Sequence, residues 1–165
     1  MHKKSTIGTV FIYAISAIII VLIVYFGYRG ISGIQKANED AIMERMQLRM
    51  RADMSQISIR YGAIARFNYF VSPSYSAICF VDLFNESAGR NETLQNYPLV
   101  WDSVQSGSPN NAFATGEKTL AFDAGKLRVG CEPYVFCVNS TKGRISFLAE
   151  GGGDSVIITC TGISD

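Results

Sequence analysis

The chain opens with an apolar run that the rest of the sequence does not repeat. Residues 5–28 carry no charged side chain, and isoleucine and valine dominate the middle of the run. A helix of this length rises about 36 Å at about 1.5 Å per residue, enough to cross a hydrocarbon core of about 30 Å. The pattern predicts a basic leader over residues 1–6 and a transmembrane helix over residues 7–28. The anchor positions are Ile7, Ile12, Ile15, Ile19, Leu22 and Ile23.

Two other interpretations of this run are weaker. A cleaved secretory signal has an apolar core of about 7–15 residues followed by small residues, whereas this core is longer and runs into Tyr25, Phe26 and Tyr28. A buried helix of a soluble domain would need a larger protein around it, because about 105 residues can hardly enclose a helix that is apolar on every side. The sequence therefore favours a helix whose solvent is lipid.

The next segment changes to a helical period. Apolar residues recur three or four positions apart while arginines lie off that stripe, which predicts an amphipathic stalk helix within residues 29–62 that ends near Arg60 with Gly62 as its cap. The stripe either packs on a sheet of the same chain or contacts another chain, since methionine adapts to both. Gly27, Gly30 and Gly33 mark either a weakened turn or a close helix contact. The stripe consists of Ile42, Met46, Met50, Met54 and Ile57.

After Gly62 the pattern becomes short β-branched and aromatic runs separated by turn residues. We expect an extracytoplasmic β-rich domain over residues 63–165, in an α+β fold whose strands form an antiparallel β-sandwich or rolled sheet. The last three strands are expected to form an antiparallel meander, and residues 85–115 a polar surface excursion with one short helix or strand. The predicted strands are residues 64–70, 75–83, 118–122, 126–129, 134–138, 144–149 and 155–161.

All four cysteines lie in this second part: Cys79, Cys131, Cys137 and Cys160. An even number in an exported domain predicts two disulfides, with three pairings open. A zinc site is disfavoured because no Cys-x-x-Cys pair occurs and the single histidine is His2, and four free buried thiols are a further alternative.

Orientation rests on the same part of the chain, because the flanking Lys and Arg residues are too balanced to decide it. Three Asn-x-Ser/Thr sequons begin at Asn85, Asn91 and Asn139, which makes them candidate glycosylation sites. Together with the cysteines they favour a single-pass protein of the cell membrane, with the N terminus in the cytoplasm and the C-terminal domain outside.

Charge and motif content exclude several functions. Residues 1–60 hold eight Lys or Arg against four Asp or Glu, whereas the remainder holds seven against ten, so no globally basic nucleic-acid binder is expected. With no histidine after His2, a Ser-His or Cys-His pair cannot form outside the membrane. The glycines at 151–153 favour a hairpin turn over a phosphate loop, and the sparse carboxylates are expected to be solvated. We predict no enzyme, no metal and no cofactor.

The N-terminal layout resembles that of archaeal type IV pilin-like proteins. Lys3 and Lys4 precede Ser5, Thr6 and the apolar helix, which is followed by an amphipathic continuation and a β-rich head. The resemblance implies processing near Ser5 and Thr6 and packing of the apolar helices in a filament core.

Several short motifs of the second part are similar to those of single-pass archaeal membrane proteins of uncharacterised activity. This likeness implies the compartment and the build, namely one membrane helix and an exported β domain. The motifs are Ile78-Cys79-Phe80-Val81-Asp82-Leu83, Phe136-Cys137, Gly143-Arg144-Ile145-Ser146-Phe147 and Glu150-Gly151-Gly152-Gly153.

Three functional hypotheses follow. The first is a non-enzymatic membrane-anchored surface protein whose exported domain serves assembly or binding, with a pilin-like subunit as the specific form. The second is an accessory or sensor subunit that acts on a membrane partner through the stalk helix. The third is an exported hydrolase. The expected partners are the lipid bilayer and, through the helices, either further copies of the chain or another membrane protein.

Overall fold

The computed structural model describes residues 5–85 and 97–160 of the 165-residue chain, and for 5–9 and 31–36 it describes the backbone alone. The leader residues 1–4 and the sequon at Asn91 lie outside the described residues. The surroundings of the side chains of Ser5, Thr6 and Ile7 are likewise outside the description. The chain divides into two compact units, Met1–Ala41 and Ile42–Asp165.

One long helix contributes to both units. Helix α1 spans Ser5–Ser58 without interruption, including the positions of the three glycines. In the first unit, Val10–Gly30 has a mean hydropathy of 2.7 and none of this segment is buried. By length and composition, this part of α1 could span a membrane, as the sequence predicts.

Two four-stranded sheets make up most of the second unit. The first has the order β1-β7-β8-β5 and the second β4-β3-β2-β6. All pairs are antiparallel except β5 with β8, so the first sheet is mixed. The α+β class is confirmed. The strands are β1 (Ile64–Phe70), β2 (Tyr75–Val81), β3 (Ala112–Gly116), β4 (Leu120–Phe122), β5 (Leu127–Val129), β6 (Val135–Asn139), β7 (Arg144–Gly151) and β8 (Val156–Thr159), with α2 at Pro98–Gln105 between β2 and β3.

The second part of α1 shares one hydrophobic core with both sheets. Met46, Met50, Met54 and Ile57 are buried in it, and Met43 joins them. The rings of Phe80 on β2 and Phe147 on β7 lie 4.9 Å apart between centroids, which links the two sheets. The amphipathic stripe is therefore the face by which the helix packs within its own chain.

Strand β2 is covered on both sides. Ile78 and Phe80 face the main core, whereas the alternate residues Cys79 and Val81 belong to a second cluster with Val100 of α2. Side chains alternate between the two faces of a strand, so a continuous apolar run requires cover on each face. Helix α2 and its neighbours supply the outer cover.

Four sequence expectations need correction. The last three strands do not form a meander, because β6 pairs with β2 in one sheet whereas β7 and β8 lie in the other. Residues 112–116 are an interior strand and not surface loop; their small side chains gave too weak a β signal. Helix α1 ends at Ser58, before Arg60. Gly62 follows four residues later with φ 74°, in the connection to β1.

Candidate functional surfaces

The first candidate surface is the uncovered apolar part of α1. The described anchor positions are all exposed, and an added Cβ at Gly27 or Gly30 would meet nothing within 4 Å. Two polar side chains on this segment are paired within the helix: the Ser16 hydroxyl donates to the Ile12 carbonyl at 2.9 Å, and Arg29 donates to the Tyr25 hydroxyl at 3.2 Å. Such a surface is suited to lipid or to other apolar helices. Its described anchor positions are Ile12, Ile15, Ile19, Leu22 and Ile23.

The predicted stalk interface lies mostly inside the domain. Of its five positions only Ile42 is half-buried; the other four are buried. The part of this helix segment most open to another chain lies off the stripe, for example at Leu48, which is exposed.

Both disulfides lie in the second unit. Cys79 pairs with Cys137 directly across β2 and β6, and Cys131 pairs with Cys160 at the end of β8. No cysteine is left free. The structure thus selects one of the three pairings that the sequence leaves open.

Two of the acceptor asparagines can be placed, whereas Glu86 and Ser87 of the Asn85 sequon lie outside the described residues. Asn139 ends β6 and is exposed, as is Thr141, so this acceptor is open to modification. Asn85 is half-buried and is engaged in an interaction. Asn139 is therefore the better candidate of the two.

The carboxylate of Asp82 is buried, contrary to the expectation of a solvated acid. It accepts hydrogen bonds from the backbone N–H groups of Phe84 at 3.0 Å and Val129 at 3.3 Å. The Arg128 side chain approaches it at 4.0 Å. This acid ties the end of β2 to β5. Backbone hydrogen bonds of this kind stabilise a buried carboxylate, which gives Asp82 a structural role.

A second buried polar contact joins α1 to β1. The Tyr69 hydroxyl donates to Asp53 at 3.0 Å, and Arg49 lies 3.7 Å from the same carboxylate oxygen. Burial, and after it the neighbouring Asp53 charge, raises the pKa of Tyr69 far above its ordinary value. The phenol stays protonated at any physiological pH and fixes the helix against the sheet.

Close to this contact lies an open groove of about 510 Å³, which we call the basic groove. One wall is α1, and the other is the end of β1 with the β6–β7 turn. Among the residues that the structure describes, three cationic side chains and no acidic one line it. Its lining residues are Ile42, Arg45, Met46 and Arg49 of α1, Tyr69, Phe70 and Val71 at the end of β1, and Lys142 and Gly143 of the turn.

The sequence did not single out this groove. Arg45 and Arg49 are four residues apart and therefore share a helix face, which is a weak signal for a basic patch. Lys142 lies far away in sequence and reaches the same groove only because β6 and β7 bring their turn to the helix. Among residues 5–85 and 97–160, no cluster of His, Cys, Asp or Glu could hold a metal ion.

Comparisons of the chain with protein-family models, with curated proteins and with solved structures found no match.

Proposed function

We propose that this protein is a non-enzymatic, membrane-anchored surface subunit that assembles through its apolar helix. The N terminus lies in the cytoplasm and the disulfide-bonded β domain lies outside. A pilin-like subunit, in which the apolar helices of several copies pack together, is the specific form of this proposal. The observation that carries it is the segment Val10–Gly30, which has a mean hydropathy of 2.7 and is not buried by the described residues.

The energetics of this segment support an apolar environment. Burial of a large aliphatic side chain contributes about 1.5–3 kcal/mol, and soluble monomers rarely expose contiguous apolar patches beyond a few hundred Å². A helix with no polar face is destabilised when its side chains are exposed to water. Contact with lipid or with neighbouring helices removes these side chains from water, so membrane anchoring and assembly would use the same surface.

The orientation is supported by the cysteine chemistry. Both disulfides sit in the second unit, and such bonds persist in oxidising compartments outside the cytoplasm. The exposed sequon at Asn139 is compatible with the same side of the membrane. Both features support an exterior position of the β domain.

The absence of a catalytic role is supported by how the acids are used. Asp82 accepts two backbone hydrogen bonds, and Asp123 accepts one from Gly125 while pairing with Arg51 at 3.2 Å. Groups committed in this way hold the fold. Since the only histidine is His2, no general base of that type is available to the exported part.

Anchoring and orientation are tested with single introduced cysteines, because the native cysteines are all paired. We expect Arg66→Cys, on the exposed edge of β1, to react with a membrane-impermeant maleimide on intact cells. In chains that retain residues 1–4, His2→Cys should react only after permeabilisation. The reverse labelling would contradict the orientation. Release of the protein from membranes by alkaline carbonate without detergent would contradict the anchor.

Assembly is tested in the apolar segment itself. Cysteine at each of Ile18, Ile19, Ile20 and Val21 in turn samples all sides of the helix, because successive residues differ by about 100°. Oxidation in membranes should cross-link copies of the chain at one or two of these positions. Failure at all four, or capture of a different membrane protein, would argue against self-assembly; the latter result is that of an accessory subunit.

Processing separates a pilin-like subunit from a plain anchor. Mass spectrometry of the membrane-extracted protein should find the chain shortened near Ser5 and Thr6 if it is pilin-like. An intact Met1 in the mature protein would contradict that specific form and leave the anchored surface protein standing.

A further inference from the structure

The basic groove carries an unbalanced charge. Of its three cations, Arg49 is 3.7 Å from Asp53, which also accepts the Tyr69 hydroxyl. Neither Arg45 nor Lys142 lies within ion-pairing distance of a carboxylate among the described residues. A fourth cation, Arg144, lies 4.8 Å above the ring of Phe70 at the same end of β1. The groove therefore presents at least two uncompensated positive charges at its walls.

Between the cations the groove is apolar. Its accessible apolar surface belongs to Phe70, which is 63% exposed, and to the half-buried Ile42, whereas Met46, Tyr69 and Val71 are nearly fully buried. A small hydrophilic anion would leave this surface in contact with water. A ligand that combines an anionic head with an apolar chain satisfies both kinds of lining, and about 510 Å³ is within the usual range for a ligand site.

The turn that presents Lys142 is a further observation. Lys142 and Gly143 have φ values of 53° and 72°, and the Gly143 carbonyl accepts a hydrogen bond from the Val71 N–H at 2.9 Å. A two-residue turn with positive φ at both positions favours Asn, Asp or Gly at the first of them. A lysine in this conformation is strained relative to Asn, Asp or Gly. In this position Lys142 lines the groove.

We infer that the basic groove binds the phosphate head of an anionic phospholipid, with Arg45 and Lys142 as its counter-charges and the surface of Phe70 and Ile42 in contact with the first part of the acyl chain. This inference rests on the proposed membrane anchoring, because the anchor keeps lipid heads at a high local concentration around the chain. Arg49 contributes less, since Asp53 already partly neutralises it.

The test uses the full-length protein in neutral maltoside micelles. Native mass spectrometry measures the binding of dioctanoyl phosphatidic acid, of dioctanoyl phosphatidylcholine and of inorganic phosphate. We expect phosphatidic acid to bind at least tenfold more tightly than phosphatidylcholine. In the double variant Arg45→Gln, Lys142→Gln the affinity should fall about 30-fold, which corresponds to about 1 kcal/mol for each basic contact with a lipid head.

Two matched variants distinguish binding in the groove from a general effect of the protein's positive charge. Arg66→Gln with Lys126→Gln removes the same charge from cationic positions outside the groove and should change the affinity less than about twofold. Arg45→Lys with Lys142→Arg keeps the charge and should retain most of the binding. Near-ultraviolet circular dichroism of each variant verifies that the fold is intact.

Three results would overturn the inference. Equal loss in both charge-removing variants would mean that binding follows net charge alone. Equal binding of phosphatidylcholine, or effective competition by inorganic phosphate at the lipid concentration, would mean that an anionic lipid is not what is recognised. None of these results affects the carbonate-extraction test of the anchor, so failure of the groove and failure of the anchor remain distinguishable.

Discussion

The end of α1 packs closely against Gly151, and substitution of this glycine is the most direct test of how the helix end packs on the sheet. A Cβ at Gly151, the last residue of β7, would overlap the backbone oxygens of Ile57 and Arg60. The same place is held by two hydrogen bonds: Gly62 donates to the Gly151 carbonyl at 2.8 Å, and Gly151 donates to the Ala63 carbonyl at 2.9 Å. Gly151→Ala therefore forces the helix end away from the sheet.

The magnitude follows from what obstructs the new methyl group. Overpacking of a well-packed site costs about 1–3 kcal/mol, and because both obstructing atoms are backbone we expect about 3 kcal/mol. The control is Gly152→Ala in the same turn. Its Cβ would lie 3.1 Å from the Ser155 carbonyl oxygen and 3.2 Å from Ser155 Oγ, so a shift of a few tenths of an ångström suffices. We expect Gly152→Ala to cost less than about 1 kcal/mol.

The assay is urea unfolding of the full-length protein at constant detergent concentration, followed by the fluorescence of Trp101, the single tryptophan. With a slope of about 1.5 kcal/mol per M, a loss of about 3 kcal/mol lowers the midpoint by about 2 M. Equal midpoints for the two variants would refute the close seating of the helix end on Gly151.

Two further predictions concern the helix face and its polar contact. Met50 is completely buried. In the same assay, Met50→Ala should lower the free energy of unfolding by about 2–5 kcal/mol, and Met50→Leu should lower it by less than about 1.5 kcal/mol. Small and equal effects of the two substitutions would mean that this side chain is not in the core. Tyr69→Phe should cost about 1 kcal/mol at pH 7, where the phenol is protonated in both states. The pKa of Tyr69 is raised in the folded state, so above about pH 10 the tyrosine ionises in the unfolded state first and the wild type loses stability. The difference in free energy of unfolding between the wild type and Tyr69→Phe should therefore shrink. A difference that stays constant to pH 11 would contradict this.

The strands were predictable where the local pattern was strong. The predicted bounds of β1 match residue for residue, and β2, β5, β6, β7 and β8 were each located with ends that differ by one or a few residues. These segments are rich in aromatic and β-branched residues, the types that suit a pleated surface. Strand β3 was missed because Ala112 and Ala114 carry little such signal. Their small side chains are required by close packing in the core, which no local pattern reveals.

The basic groove was not predictable for a different reason. The arginines of α1 are visible as a pair on one helix face, but a groove needs a second wall. That wall comes from Phe70 and Lys142, whose approach to the helix depends on how the two sheets share one core. The buried role of Asp82 was missed likewise, since its distant partner Val129 comes within hydrogen-bonding distance only when β2 and β5 are in place.

The sequence alone determined the features that depend on residues close together along the chain. These are the apolar helix over Val10–Gly30, the methionine face of α1 and the existence of most strands. Hydrophobic periodicity acts within a few residues and needs no tertiary context. Tertiary structure alone decided which cysteines pair, which sheet contains β6, and that Lys142 and Arg45 line the same groove. These outcomes depend on contacts between residues distant in sequence, whose geometry is set by the packing of the whole core.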